Sequence, residues 1–156
     1  MSEWPGIIAE LKDIGAKGAD GLIKALQSAD WKTRTTAAMM IGKADIAPEP
    51  VVAQLKQALR DSNQKVRSCA LGALRRLGAT KAEKRREFLP LIIPLLADPT
   101  RRVRRDAAVV LRECAADVPL EAAVRALAQE ADGRVLRHLK PLVLAILEAR
   151  EEKAKS

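Results

Sequence analysis

Apolar residues recur along this chain at the spacing of a helix that packs on one face. The spacing repeats from four positions that we treat as equivalent: Thr33, Val66, Val103 and Val135. An apolar residue follows each of them after four, seven and eight residues, which places these side chains along one stripe of an α-helix. Alternation of β-branched or aromatic residues with polar ones, typical of a strand, does not occur over a useful length. The pattern therefore predicts an all-α protein.

Helix-breaking residues interrupt this pattern at short intervals. Among them are Pro48, Gly78, Pro99, Pro119 and Gly133. Stops at such places divide the chain into about nine helices, each roughly 9 to 20 residues long.

The chain also contains an internal repeat. Four similar segments begin at Leu22, Val52, Leu89 and Glu121, and their equivalent positions are 33, 37 and 32 residues apart. A leucine lies seven or eight residues before each equivalent position, which predicts a preceding helix with a matching apolar face. Each segment is thus predicted to form a helical hairpin. Because one hairpin cannot bury both of its faces, the four hairpins are predicted to stack as an α-solenoid.

Two of the segments carry a motif that resembles the HEAT-repeat family. The motif residues are Leu59, Asp61, Val66, Arg67 and Ala70 in the second segment, and Leu96, Asp98, Pro99, Val103, Arg104 and Ala107 in the third. The short units are most similar to the phycobilisome-lyase-type variety of these repeats. The end segments depart from the motif, since Ser28 replaces the Asp and Leu136 replaces the Arg. The resemblance implies a right-handed α-solenoid that serves as a scaffold for other macromolecules.

The chain is interpreted as a single HEAT-like repeat domain over residues 1–156. Within it, residues 1–18 are assigned to an N-terminal capping helix, residues 19–147 to the four repeats, and residues 148–156 to a charged C-terminal tail. Terminal segments of repeat proteins commonly differ from the others because they cap the array.

Composition restricts the class of protein. An apolar fraction of 48% is typical of a folded, soluble domain, and the ten-residue apolar run 88–97 contains two prolines, so no membrane span is predicted. No secretory signal is evident at the N-terminus, and a cytoplasmic location is expected. Cys69 and Cys114 are 45 residues apart without a CxxC motif, which argues against a disulfide framework or a zinc site and favours two small buried residues.

Catalytic motifs are not evident. His138 is the only histidine, and the chain has neither a Gly-x-Ser-x-Gly elbow nor a phosphate-binding glycine loop. HEAT-like metal hydroxylases hold iron with His-Glu pairs, whereas His138 is followed by Leu139. The chain is therefore predicted not to be an enzyme, with no catalytic residue, no cofactor and no metal ligand.

The net charge of +8 is concentrated in the middle of the chain. Residues 60–112 contain fourteen basic and five acidic residues, whereas the segments on either side are close to neutral. A solenoid would turn this distribution into a central basic band.

Two columns of cations follow the repeat. Arg34, Arg67 and Arg104 come one residue after the equivalent position, within reach of an aspartate, and are predicted to form a structural ladder between neighbouring repeats. The other column, one residue before the equivalent position, contains Lys32, Lys65, Arg102 and Arg134. Cations at a helix N-terminus oppose the macrodipole, so helix stability does not explain this column. Two interpretations of this column remain open: a solvated loop edge and a contact surface for a ligand. Asp106 is predicted to pair with Arg102.

The predicted function is a non-catalytic protein-binding scaffold or adaptor that uses its basic surface to bind an acidic protein or peptide segment. The predicted partner-binding residues are Lys32, Lys65, Arg75, Arg101, Arg102, Arg105, Arg112 and Arg134. Their side chains would donate charge-assisted hydrogen bonds to the partner.

Two alternatives remain at this point. The first is sequence-nonspecific binding of duplex DNA or RNA through the same residues, because phosphate binding requires only clustered Lys and Arg. Base stacking is not expected, since the chain has only three aromatic residues. The second and weaker alternative, a phycobilin lyase-like chaperone, follows from the family resemblance alone.

Overall fold

The regular structure of this protein is helical throughout the part described by the computed structural model, which comprises residues 16–44, 48–79 and 81–156. Its helices are α1 (Ala16–Leu26), α2 (Trp31–Ala44), α3 (Glu49–Ala58), α4 (Gln64–Arg76), α5 (Ala82–Ile92), α6 (Arg101–Arg112), α7 (Leu120–Gln129) and α8 (Gly133–Lys155). Short 3-10 helices at Ile93–Ala97 and Ala115–Asp117 follow α5 and α6. The prediction of an all-α fold is confirmed.

The helices pair as hairpins within two compact units, Met1–Gly78 and Ala79–Ser156. In the N-terminal unit, α1 packs on α2 and α3 packs on α4, and the second helices of these hairpins, α2 and α4, pack against each other. In the C-terminal unit, α5 with its 3-10 extension packs on α6, α7 packs on α8, and α6 packs on α8. The predicted stacking of consecutive hairpins is therefore present within each unit.

The apolar stripe read from the sequence is the buried face of these second helices. Val66, Val103 and Val135 are each fully buried, as are most apolar residues that follow them at helical spacing. Burying one such side chain stabilises a fold by about 1.5 to 3 kcal/mol. Thr33 differs from the other equivalent positions, because it is exposed and its hydroxyl donates to Asp30 Oδ2 over 2.8 Å.

A glycine allows α2 and α4 to approach closely in the N-terminal unit. Gly42 is buried on α2, and a Cβ atom built on it would lie 2.8 Å from the Cα of Ala73 on α4. Real Cβ atoms essentially never come so close to another heavy atom. The contact between these helices therefore depends on the absence of a side chain at residue 42.

Two segments were predicted to flank the repeats, a capping helix and a charged tail. The capping helix predicted for residues 1–18 lies outside the described residues, except that residues 16–18 begin α1. The segment 148–156, interpreted as a charged tail, continues α8 as far as Lys155. Its Glu, Ala, Arg and Lys residues are strong helix formers, which explains why α8 does not end where the repeat motif does.

None of the helices in residues 16–44, 48–79 and 81–156 combines the length and apolar character needed to cross a lipid bilayer.

Candidate functional site

Three arginines, which we call the arginine ladder, fasten the hairpin turns. They are Arg34, Arg67 and Arg104, each the fourth residue of a second helix. In all three, Nη1 donates to the backbone carbonyls of the residues six and five positions earlier, at distances between 2.8 and 3.3 Å. The ladder thus satisfies carbonyl groups in the turn that precedes each helix.

The ladder also links consecutive hairpins within each unit. Arg34 donates from Nε and Nη2 to the two carboxylate oxygens of Asp61, over 2.7 and 2.9 Å. Arg104 binds Glu130 in the same bidentate manner, over 2.6 and 3.0 Å. The inter-repeat ladder predicted from the sequence is therefore present, although in the C-terminal unit the acceptor is a glutamate. Asp98, the aspartate of the motif in that repeat, accepts from the Thr100 backbone N–H at 2.8 Å.

The link between Arg104 and Glu130 makes stability depend on pH. The Arg104 hydrogen bonds hold the pKa of the Glu130 carboxyl below its ordinary value of 4.5. Because the folded pKa is lower than the unfolded one, the stabilisation is complete above about pH 4.5 and is lost as pH falls through the folded pKa. We therefore expect the melting temperature to fall more between about pH 7 and about pH 3 in the unmodified protein than in the Glu130→Gln variant. Equal decreases in the melting temperature of the two proteins, measured by circular dichroism across this pH range, would contradict the assignment.

The second column of cations lies at the start of the second helices. Lys32, Lys65, Arg102 and Arg134 are each the second residue of their helix. The first turns of these four helices, α2, α4, α6 and α8, contain no acidic residue, whereas the first turns of α3, α5 and α7 contain Glu49, Glu83 and Glu121. The second helices consequently carry positive side chains beside the positive end of their own macrodipole, which is the arrangement that favours a bound anion.

In the N-terminal unit the two lysines of this column share one aromatic ring. The Nζ of Lys65 lies 4.8 Å from the centroid of the Trp31 ring, and the Nζ of Lys32 lies 5.9 Å from it. Both distances are within the range of cation–π attraction. Sequence reasoning assigned no contact role to Trp31. Its position directly before Lys32, at the level of Lys65 in the next repeat, was the available signal.

In the C-terminal unit four predicted contact residues line one cleft, which we call the arginine cleft. Its lining residues are Arg101, Arg102, Arg105 and Arg134, and its volume is about 350 Å³. These side chains come from the first two turns of α6 and the first turn of α8, and the two helices pack against each other. The structure thus brings together residues that are separated by about thirty positions in the sequence.

Two carboxylates contact the arginine cleft. Asp106 lies 3.8 Å from Arg102 Nε and 2.6 Å from Arg105 Nη2, so the predicted pairing of Arg102 with Asp106 is present alongside a shorter contact. Asp132 lies 3.3 Å from Arg101 Nη1 and accepts from the backbone N–H of Arg134 at 2.8 Å. Four guanidinium groups therefore face two carboxylates.

Two other predicted contact residues lie at the C-terminal ends of helices. Arg112 is exposed in the last turn of α6, at the far end of the helix from Arg101 and Arg102. Arg75 is exposed in the last turn of α4, in the N-terminal unit. The structure therefore groups the eight predicted residues as a four-arginine cleft, a lysine pair on Trp31, and two arginines at helix C-terminal ends.

A larger cavity of about 400 Å³ lies beside the ladder in the C-terminal unit. Its lining includes Asp98, Arg104 and Glu130, together with apolar and amide side chains. The charged groups here are already hydrogen bonded, because Arg104 binds Glu130 and Asp98 receives the Thr100 N–H. This cavity is therefore assigned to the structural ladder and not to ligand binding.

The cysteines occupy two different environments. Cys114 is buried as predicted, and burial raises the pKa of its thiol to about 11, so the thiol remains protonated at neutral pH. Cys69 is half-buried rather than buried, a correction to the prediction. Within the described residues, no three His, Cys, Asp or Glu side chains come together as metal ligands would.

Two solved structures resemble this chain in fold. One is an engineered protein, Northeast Structural Genomics Consortium target OR329, with a TM-score of 0.61 at 21% identity over 86% of this chain. The other is an engineered protein of the same consortium, target OR497, with a TM-score of 0.60 at 20% identity over 83% of this chain. The chain spans 64% of the first of these proteins and 38% of the second.

Sequence comparison gives a more specific assignment than the likeness in fold. No functionally curated protein shows significant sequence similarity to it. The family model of HEAT repeats matches residues 19–113, which is more than half of the 156 residues. Together with the hairpins and the arginine ladder described above, this match shows that the chain belongs to the HEAT repeat family.

Proposed function

We propose that this protein is a non-catalytic binding module that takes up an acidic segment of a partner protein. HEAT repeats commonly mediate protein binding, which gives the class of function. The single observation that supports the finer proposal is the arginine cleft, in which four guanidinium groups from two helices face two carboxylates.

The arginine cleft differs from the ladder in what its cations do for the fold. Ladder residue Arg104 is four-fifths buried and meets its carboxylate at 2.6 Å. In the cleft, Arg102 is 62% exposed and lies 3.8 Å from Asp106. Exposed pairs of this kind contribute about 0 to 1 kcal/mol to stability, so a structural role does not explain Arg102. Arg105 differs from it, because it is half-buried and donates to Asp106 over 2.6 and 2.9 Å. Crowded cations at a helix N-terminus are better explained by an anionic partner.

Charge reversal in the cleft tests this proposal. Glutamate at residues 102 and 134 would occupy the second position of α6 and α8, where a negative charge interacts favourably with the helix macrodipole. The double variant Arg102→Glu/Arg134→Glu is therefore expected to keep its helicity and melting temperature. We expect it to lose at least about tenfold in affinity for fluorescein-labelled polyglutamate at low ionic strength, because two attractive charges become repulsive.

The matched control reverses two exposed arginines outside the cleft, Arg125→Glu on α7 and Arg137→Glu on α8. Its net charge changes by the same amount, so a purely nonspecific effect would weaken both variants equally. Equal losses would contradict the assignment of the surface. Tighter binding of a DNA duplex than of polyglutamate, with a log-linear dependence on salt, would replace the proposal by nucleic-acid binding.

A further inference from the structure

We infer that the arginine cleft recognises a phosphate monoester on a phosphorylated side chain of the partner protein. The inference rests on the proposed function and makes its ligand more specific. Three features of the cleft support it: the charge balance, the type of the cations and the helix ends that border the cleft.

The charge balance of the cleft matches a dianion. Asp132 faces Arg101, and Asp106 is shared by Arg102 and Arg105. The contact of Arg134 with Asp132 is made by its backbone N–H. Four guanidinium charges against two carboxylates leave an excess of two positive charges. A phosphate monoester carries a charge of about −1.5 to −2 at neutral pH, concentrated on one compact group, whereas each peptide carboxylate supplies only one negative charge.

Among the residues that the structure describes, the four that line the cleft are all arginines. The guanidinium group presents its N–H donors in a planar fork that binds two oxygens of one phosphate at the same time. Three terminal oxygens allow a monoester to accept from several such forks, which a carboxylate with two oxygens does less completely. A volume of about 350 Å³ leaves space for one compact oxyanion between the side chains.

Two helix N-termini border the cleft, and neither has an acidic residue in its first turn. In α6 the Thr100 side chain makes no capping hydrogen bond to the helix. In α8, by contrast, Asp132 caps the N–H of Arg134. The start of α6 therefore adds the field of its macrodipole to the charge of the arginines, with Asp98 as the carboxylate that accepts from the backbone N–H of its N-cap residue, Thr100, at 2.8 Å.

The same features favour a monoester over nucleic acid. Each phosphate of a DNA or RNA backbone is a diester with a single negative charge, and successive phosphates are spread along the strand. A single cleft with an excess of two charges suits one doubly charged group better than a series of singly charged ones. The partner we propose is accordingly a phosphorylated protein segment.

Three fluorescein-labelled peptides of Gly and Glu test this inference with the full chain. They are identical except at the centre, which is a serine, a phosphoserine or a pair of glutamates that matches the added charge. We expect the phosphoserine peptide to bind about tenfold or more tightly than the two-glutamate peptide, because one to three new charge-assisted hydrogen bonds form. This preference should be lost in Arg102→Gln/Arg134→Gln and retained in Arg125→Gln/Arg137→Gln.

A second measurement uses the titration of the phosphate itself. The second pKa of a phosphate monoester is about 6, so the preference for the phosphoserine peptide should shrink as pH falls from about 7.5 to about 5. Equal binding of the charge-matched peptides would overturn the phosphate inference and leave the proposed acidic-segment function intact. Failure of all acidic peptides to bind would overturn both, and stronger binding of a short DNA duplex than of the phosphoserine peptide would overturn the choice of a protein partner.

Discussion

Replacing Arg104 with methionine is expected to lower the free energy of unfolding by roughly 2 to 3 kcal/mol. Glu130 is only 5% exposed, and removal of Arg104 leaves its carboxylate without the bidentate donor that it has at 2.6 and 3.0 Å. The carbonyls of Asp98 and Pro99 lose a donor as well. Methionine retains much of the aliphatic length of arginine, so the effect reports mainly on lost hydrogen bonds. Urea unfolding of the full chain, followed by circular dichroism, measures it.

The same helix offers a matched control for this change. Arg102 lies two residues earlier on α6, and its side chain is 62% exposed and forms an ion pair with Asp106 at 3.8 Å. Arg102→Met is therefore expected to alter the free energy of unfolding by less than about 0.5 kcal/mol. The double variant Arg104→Met/Glu130→Gln should be less destabilised than the sum of the two single variants, because the uncompensated carboxylate is then gone. Equal effects of Arg104→Met and Arg102→Met would show that the ladder does not stabilise the fold.

Replacing Gly42 with alanine is expected to destabilise the N-terminal unit even though alanine is the better helix former. The added methyl would lie 2.8 Å from the Cα and 3.1 Å from the Cβ of Ala73, so α2 and α4 would have to move apart. Overpacking of this kind typically costs about 1 to 3 kcal/mol. Trp31 lies in the N-terminal unit and the sequence of residues 79–156 contains no tryptophan, so tryptophan fluorescence during urea unfolding does not report on the C-terminal unit.

The opposite sign is expected for Gly72→Ala. Gly72 is an exposed residue inside α4, and an added Cβ would meet no atom within 4 Å. Alanine should then stabilise the helix by up to about 1 kcal/mol through its propensity alone. The two variants make the same chemical change in α2 and α4, two helices of one unit that pack against each other. A change in the free energy of unfolding with the same sign in both variants would contradict the assignment of Gly42 as a close-approach position.

The elements of this fold could be predicted from the sequence because helix packing has a strict period. The stripe through Val66, Val103 and Val135 indicated which face of each second helix is buried, and the structure buries that face. The offset of Arg34, Arg67 and Arg104 from this stripe likewise indicated side chains at a helix edge, where a ladder can form. Periodicity was less informative for Thr33, where a local hydrogen bond to Asp30 replaces burial.

The site depended on contacts that no local pattern contains. The acceptor for Arg104 is Glu130, 26 residues later in the sequence. The repeat motif contains an aspartate, so it does not predict that a glutamate in the following loop is the acceptor. Arg102 and Arg134 were identified as members of one column, but their convergence on a common cleft follows from the way α6 packs on α8. Lys65 reaches the ring of Trp31 by the same kind of inter-repeat contact. Such distances are set by tertiary structure, which explains why the residues were predicted and their grouping was not.

The constant reach of the ladder arginines determines where this chain tolerates changes in length. Each arginine donates hydrogen bonds to the carbonyls six and five residues before it. One residue inserted within a hairpin turn would therefore move those carbonyls out of hydrogen-bonding distance. The repeats themselves nevertheless differ in length, with spacings of 33, 37 and 32 residues. Among the three repeats that have a ladder arginine, the difference between the spacings of 33 and 37 residues therefore lies outside the turns that the arginines hold. An engineered loop or fused domain belongs in the connections from one hairpin to the next.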